Sequence, residues 1–248
     1  MTRSWATLIV ERRQDRVHVQ LNRPEVRNAI DHTMVDELHR VCEELEQDPR
    51  ILIISGSNGV FASGADIGEL RERRGKDALQ GINSALFLRI ARLPMPVIAA
   101  VDGWALGGGA ELAYAADFRI ASDTARLGNP ETSLGIIPAA GALWRLAQLV
   151  GEPVAKEIIL AGRILSAEEA LAVHLVTEVH EAGGLIAAAH ILADRIAAQD
   201  PLATRLAKEV FHAPADAHPR VDNEAQARLF ESDEKFARMS AFLERNKR

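Results

Sequence analysis

Apolar, strand-like runs that are each followed by a small-residue turn and then helical sequence constrain this chain more than any other feature. Ile51-Leu-Ile-Ile54 precedes the glycine-rich loop Gly56 to Gly68, Val97-Ile-Ala-Ala-Val101 precedes the cluster Gly103 to Gly109, and Phe118-Arg-Ile-Ala121 follows the helix that this cluster opens. Apolar runs of this length suit strands covered on both faces, and their alternation with helices argues for an α/β domain built from repeated strand–turn–helix units. Upstream, Thr7 to Val10 and Val17 to Leu21 read as two strands around Gln14-Asp-Arg16, and Thr33 to Gln47 as a helix stopped by Asp48-Pro49. Asp77 to Arg92 is expected to form one helix.

Beyond Val176-Thr-Glu-Val179 every pattern is helical: Leu185 to Ala198, Pro201 to Phe211 and Asp222 to Asn246, the last with Leu229, Phe236 and Leu243 at heptad spacing. Such a tail needs a surface to cover its apolar stripe, its own core or a second subunit. A soft boundary is placed near Ala188, with residues 1–188 as an α/β core and 189–248 as a helical C-terminal region.

Several chemistries fail by inspection. Cys42 is the only cysteine, so no disulfide or cysteine-based zinc site is expected and a reducing compartment fits. The histidines contain no HExxH, no serine sits in GxSxG, and Gly103-Trp-Ala-Leu-Gly-Gly-Gly109 is neither a dinucleotide fingerprint nor a phosphate loop. The net charge of −6 argues against a nucleic-acid partner. The N-terminal apolar stretch is too short for a signal peptide, and Pro138 and Arg145 interrupt the most apolar window, so a cytoplasmic protein with no membrane span is expected.

Two turns remain, Ala62-Ser-Gly-Ala-Asp-Ile67 and Leu106-Gly-Gly-Gly-Ala-Glu111. Turns of this kind leave main-chain N–H groups free at a helix N-terminus, where they can stabilise developing negative charge; equally, their glycines can simply permit a tight turn. Glu111 can be a helix-end carboxylate, and Glu131 in Gly128-Asn-Pro-Glu131 an exposed structural one. Together the two could hold a water and divide acid and base roles.

The segments Phe61-Ala-Ser-Gly-Ala-Asp-Ile67, Pro96 through Leu112, Asp117-Phe-Arg-Ile-Ala121, Asn129-Pro-Glu131 and Gly135-Ile-Ile-Pro138 resemble the enoyl-CoA hydratase/isomerase, or crotonase, family. Leu21-Asn-Arg-Pro24 with Asn28-Ala29, and Leu160-Ala-Gly-Arg163 with Ala167-Glu-Glu-Ala170, belong to the same pattern. The resemblance implies a spiral of ββα units with a C-terminal helical trimerisation region, and a homotrimer or homohexamer. It implies an acyl-CoA thioester substrate whose enolate is stabilised by the N–H groups of Ala65 and Gly108. It further implies Glu111 and Glu131 as the acid/base pair for hydration of a 2-trans-enoyl-CoA to a 3-hydroxyacyl-CoA, with no cofactor beyond the coenzyme A of the substrate. Double-bond isomerisation, or another acyl-CoA hydratase, lyase or hydrolase reaction, is the alternative, and a binding protein without turnover is a rival of a different class. The substrate-binding set carried by the motifs is Arg27, Ala65, Asp66, Ile67, Gly68, Gly108, Pro138 and Ala139.

The departures from the family pattern bear on substrate choice. Ala139-Ala-Gly-Ala-Leu-Trp144 stands where hydratases usually continue Gly-Ala-Gly-Gly, and Gly68 where many carry lysine. Arg27, Arg71 or Lys247-Arg248 are candidates for the phosphate contact that Gly68 cannot make. Trp104 replaces the more usual tyrosine and is expected to pack.

Overall fold

The computed structural model describes residues 5–245. A hairpin of β1 (Leu8–Arg12) and β2 (Arg16–Leu21) leads into α1 (His32–Gln47), whose N-terminus is capped by the Asp31 carboxylate on the Met34 N–H. Three successive units then follow one plan. A five-residue strand is followed by a three-residue strand: β3 (Ile51–Ser55) by β4 (Val60–Ala62), β5 (Val97–Val101) by β6 (Trp104–Leu106), and β7 (Phe118–Ser122) by β8 (Arg126–Gly128). Helices come between the units, α2 (Ile67–Glu72), α3 (Gly75–Leu79) and α4 (Ile82–Ala91) after the first, and α5 (Gly108–Ala115) after the second.

The long strands build a six-stranded sheet in the order β1-β2-β3-β5-β7-β10, with β10 at Glu178–His180, parallel except for the β1–β2 hairpin. The short strands build a second sheet, β4-β6-β8-β9, with β9 at Leu165–Ser166. In it β4, β6 and β8 are parallel neighbours. This is the expected ββα spiral, each unit giving one strand to each sheet.

Alternation along the long strands assigns them to two cores. Leu52 and Ile54 point into the main core with Leu38 and Val41 of α1 and Phe87 and Ile90 of α4. Ile51 and Ile53, with Ile98, Ala100 and Ile120, face the other side and are covered by Leu185, Ala189, Leu192 and Ile196 of α9 (Leu185–Ala197). The helical region therefore begins with a helix that has the sheet as its partner. Residue 188 falls inside α9, so the soft boundary placed there cuts an element of the core.

Two helices expected to be continuous are broken. Residues 77–92 divide into α3 and α4 because Gly81 adopts φ +62° between them. Residues 222–246 divide into α11 (Arg220–Phe230) and α12 (Asp233–Arg245), and residue 246 lies outside the described residues. Ser232 makes this break: its Oγ donates to the Leu229 carbonyl and accepts from the Lys235 N–H. Between β8 and β9 lie α6 (Ala147–Val150) and α7 (Glu152–Leu160); α8 (Ala167–Ala172) follows β9 and α10 (Pro201–Phe211) follows α9. Lys208 of α10 is buried and donates to the Met95 carbonyl and the Asp117 carboxylate, fastening α10 to the ends of β5 and β7.

Among the described residues no helix is long and apolar enough to cross a membrane. Cys42 is buried on α1, where burial pushes its thiol up to about 12.

Candidate active site

The site is assembled by the small sheet. Adjacent strands lie about 4.8 Å apart, so the turns leaving the same ends of parallel neighbours must converge. Here those turns are residues 63–66 after β4, Gly107 after β6 and residues 129–131 after β8.

Close approach of the first two turns depends on missing side chains. A Cβ on Gly109 would lie 2.2 Å from the Ala62 carbonyl oxygen, so only glycine lets α5 sit against the end of β4. A Cβ on Gly108 would lie 3.3 Å from the Ala65 nitrogen and 3.6 Å from Asn83 Nδ2. The N–H groups of Ala65 and Gly108 thus border one small volume, and neither has a hydrogen-bond acceptor among the described residues. Ala65 itself is fixed by its neighbours: Ile30 N–H donates to the Gly64 carbonyl and Asp66 N–H to the Ile30 carbonyl. Asp66 caps α2 by accepting from Gly68 and Glu69 N–H, while Arg23 pairs with Asp31 and Asp66 behind the turn.

Glu111 and Glu131 are both buried, 4% and 8% exposed. Glu111 stands in the first turn of α5, and its Oε1 accepts from Ala140 N–H at 2.7 Å and Ala142 N–H at 3.1 Å. Burial raises its pKa to about 7; the Ala142 N–H works against that rise and the neighbouring Glu131 charge adds to it. Glu131 lies in the short helical turn Pro130–Leu134 rather than on an exposed loop. Its Oε1 is 3.4 Å from Asn129 Nδ2, its Oε2 is buried without a partner, and burial raises its pKa as well. A Cβ on Gly107, which has φ +52°, would lie 3.0 Å from Glu131 Oε1. That absent side chain lets Glu131 lie directly over the turn that presents the Gly108 N–H.

Beside Glu111 a cleft runs between α4 and the segment after Pro138, lined by Phe87, Leu88, Ala91, Tyr114, Ala140 and Trp144. The Arg145 guanidinium donates to the Tyr114 and Ala116 carbonyls and ties the π-helical turn Ala142–Leu146 to the end of α5.

Of the substrate-binding set, Ala65, Asp66, Ile67, Gly68 and Gly108 gather at the paired turns, with Ile67 60% exposed at the mouth. Arg27 is exposed on the turn whose carbonyl accepts from Ser63 N–H. Pro138 is buried and Ala139 exposed, and the main-chain donors that reach Glu111 belong to residues 140 and 142. Arg71 is exposed on α2, while Lys247-Arg248 lie outside the described residues. Trp104 packs only in part within the chain; it is 45% exposed on β6. Asn83, whose Oδ1 is buried without a partner, and the buried Tyr114 also face the site. Neither belongs to a recognisable motif, and helical periodicity gives both the look of ordinary inward-facing positions.

A family model described as enoyl-CoA hydratase/isomerase matches residues 11–248. The short-chain-enoyl-CoA hydratase of Clostridium acetobutylicum is 35% identical over 252 residues, covering 97% of this chain and 95% of its own. The crotonyl-CoA hydratase of Syntrophomonas wolfei is 33% identical over 253 residues, covering 98% and 97%. The crystal structure of enoyl-CoA hydratase from Bacillus anthracis superposes with a TM-score of 0.91 at 32% identity, covering 97% of each chain. With two facing glycine turns, a pair of buried glutamates and this likeness along nearly its whole length, the chain belongs to the enoyl-CoA hydratase/isomerase family.

Proposed function

We propose that the protein adds water across the double bond of a 2-trans-enoyl-CoA to give a 3-hydroxyacyl-CoA. The observation that carries this reading is the junction of two unpartnered main-chain N–H groups with two buried carboxylates on the turns of three neighbouring strands. The thioester oxygen accepts from Ala65 and Gly108, which favours the enolate over the ground-state carbonyl. Glu111 takes a proton from the water that attacks C3, and Glu131 gives a proton to C2. A base with a pKa of about 7 suits this transfer near neutral pH. Glu131, with its raised pKa and unpartnered Oε2, is suited to carry the proton.

The acyl chain would enter the apolar cleft by Phe87, Leu88 and Trp144, with Arg27 and Arg71 near the surface for the coenzyme's phosphates. Phe230, Phe236, Phe242 and Leu243 expose an apolar stripe on α11 and α12, which supports assembly as a homotrimer or dimer of trimers. Light scattering should then give three or six times the chain mass.

The test is incubation with crotonyl-CoA while following the absorbance of the conjugated thioester. Loss of absorbance with formation of 3-hydroxybutyryl-CoA is expected. No loss, together with conversion of a 3-enoyl-CoA to its 2-enoyl isomer, would overturn hydration in favour of isomerisation.

A further inference from the structure

We propose that Tyr114 and Asn129 are positioning residues that hold the proton-donating carboxylate and the oxyanion-binding peptide in one register. The inference rests on the hydratase reading above and assigns work to two residues that touch no reacting atom.

Tyr114 is fully buried on α5, and its hydroxyl donates to Asn129 Oδ1 at 3.1 Å. The Gly107 carbonyl, which can only accept, decides which end of the Asn129 amide faces which way, and the phenol, rotating to donate, holds the other end. Oδ1 is turned to the phenol, so Nδ2 faces the site, 3.3 Å from the Gly107 carbonyl and 3.4 Å from Glu131 Oε1. The Gly107 carbonyl and the Gly108 N–H belong to the same peptide unit. One side-chain amide therefore grips the back of the peptide that stabilises the enolate and also contacts one oxygen of the acid that protonates it.

The arrangement also selects the oxygen that reacts. Oε1 faces a donor and is the unprotonated oxygen, which leaves the proton on Oε2, where there is no partner. In the transfer the Oε2–H bond breaks, the enolate electron pair forms the C2–H bond, and the carboxylate left behind keeps its contact with Nδ2. Turned over, the amide would place its oxygen against Oε1 and draw the proton to the wrong side. The Gly107 carbonyl prevents that turn, because it would then face the amide oxygen, and the phenol keeps the amide from swinging away from it. The ionisable groups facing Glu131 are Glu111 and Tyr114, both from α5.

The experiment compares Tyr114→Phe, Asn129→Leu and the double variant with the wild type on crotonyl-CoA, measuring kcat, KM and the pH profile. Tyr114→Phe keeps the ring and should lower kcat about tenfold with KM within about twofold, the size expected for one lost buried hydrogen bond. Asn129→Leu should lower kcat further. Because Nδ2 favours the charged carboxylate, its loss should move the alkaline limb of the profile upward by roughly half a pH unit. The double variant should be no slower than Asn129→Leu, since the phenol acts only through the amide. A purely structural pair would lower thermal stability and leave the alkaline limb in place. Wild-type hydration with an unchanged profile and kcat in folded Tyr114→Phe, or additive losses in the double variant, would overturn the inference alone. A wild type that does not hydrate crotonyl-CoA would overturn the reaction reading and the inference with it.

Discussion

Replacing Glu111 with glutamine should make the protein more stable as it makes it inactive, and the gain should depend on pH in a defined way. Glu111 is buried, and its pKa stands at about 7 in the fold against an ordinary value of 4.5. Below pH 4.5 the carboxyl is protonated in both folded and unfolded chains and costs nothing. As the pH rises from 4.5 towards 7 the unfolded chain releases its proton while the folded one retains it, so stability falls by about 1.4 kcal/mol per pH unit. Above 7 the penalty levels off at about 3 kcal/mol. Glutamine carries no such dependence, and its carbonyl oxygen can still accept from the Ala140 and Ala142 N–H groups. Urea unfolding of wild type and Glu111→Gln at equal protein concentration, at pH 5 and pH 8.5, should show a small difference at the lower pH and up to about 3 kcal/mol in favour of the variant at the higher. A difference of the same size at both pH values, or a variant less stable than wild type at pH 8.5, would show that the carboxylate is not held against the cost of its own burial.

Gly108→Ala should fold normally, since residue 108 does not need a positive φ, yet its methyl group would occupy the space before the Ala65 N–H; kcat on crotonyl-CoA should fall by about a hundredfold or more with melting temperature nearly unchanged. Gly109→Ala forces a methyl to within 2.2 Å of the Ala62 carbonyl oxygen, and should destabilise the fold by several kcal/mol, read as a lower urea midpoint. Lys208→Met removes the buried cation from half-buried Asp117 and should cost about 3 kcal/mol in denaturant titrations near neutral pH.

The large sheet was legible because its central strands are apolar at every position, as strands covered on both faces must be: Ile51–Ile54 and Val97–Val101 announce themselves. The small sheet was not. Val60–Ala62, Trp104–Leu106 and Arg126–Gly128 are three residues each, too short for a period of two to show. The covering of the sheet by α9 was hidden because an apolar helical stripe does not say which surface it meets. The break at Ser232 comes from a local side-chain bond that competes with the helix, and the heptad through Leu229, Phe236 and Leu243 runs across it. At the site, Glu111, Glu131 and the paired turns could be named from motifs. The burial of Glu131 and the part played by Tyr114 could not, because both arise from how α5 and the turn after β8 meet in space.

The three short strands have a meaning beyond closing the fold. They come from three different ββα units, and their order β4-β6-β8 places the Ala65 N–H, the Gly108 N–H and Glu131 on consecutive tracks of one ladder. The coarse spacing between these elements is then set by the hydrogen-bond repeat of a parallel sheet, about 4.8 Å per step, and side chains such as Asn129 adjust it locally. On the proposed hydration, reaction geometry and substrate preference are thereby written in separate parts of the chain. On that proposal the residues after Pro138 and along α4 can vary to admit a different acyl group while the strand ladder keeps the two turns and Glu131 on neighbouring tracks, like fittings exchanged on a rail whose gauge does not change.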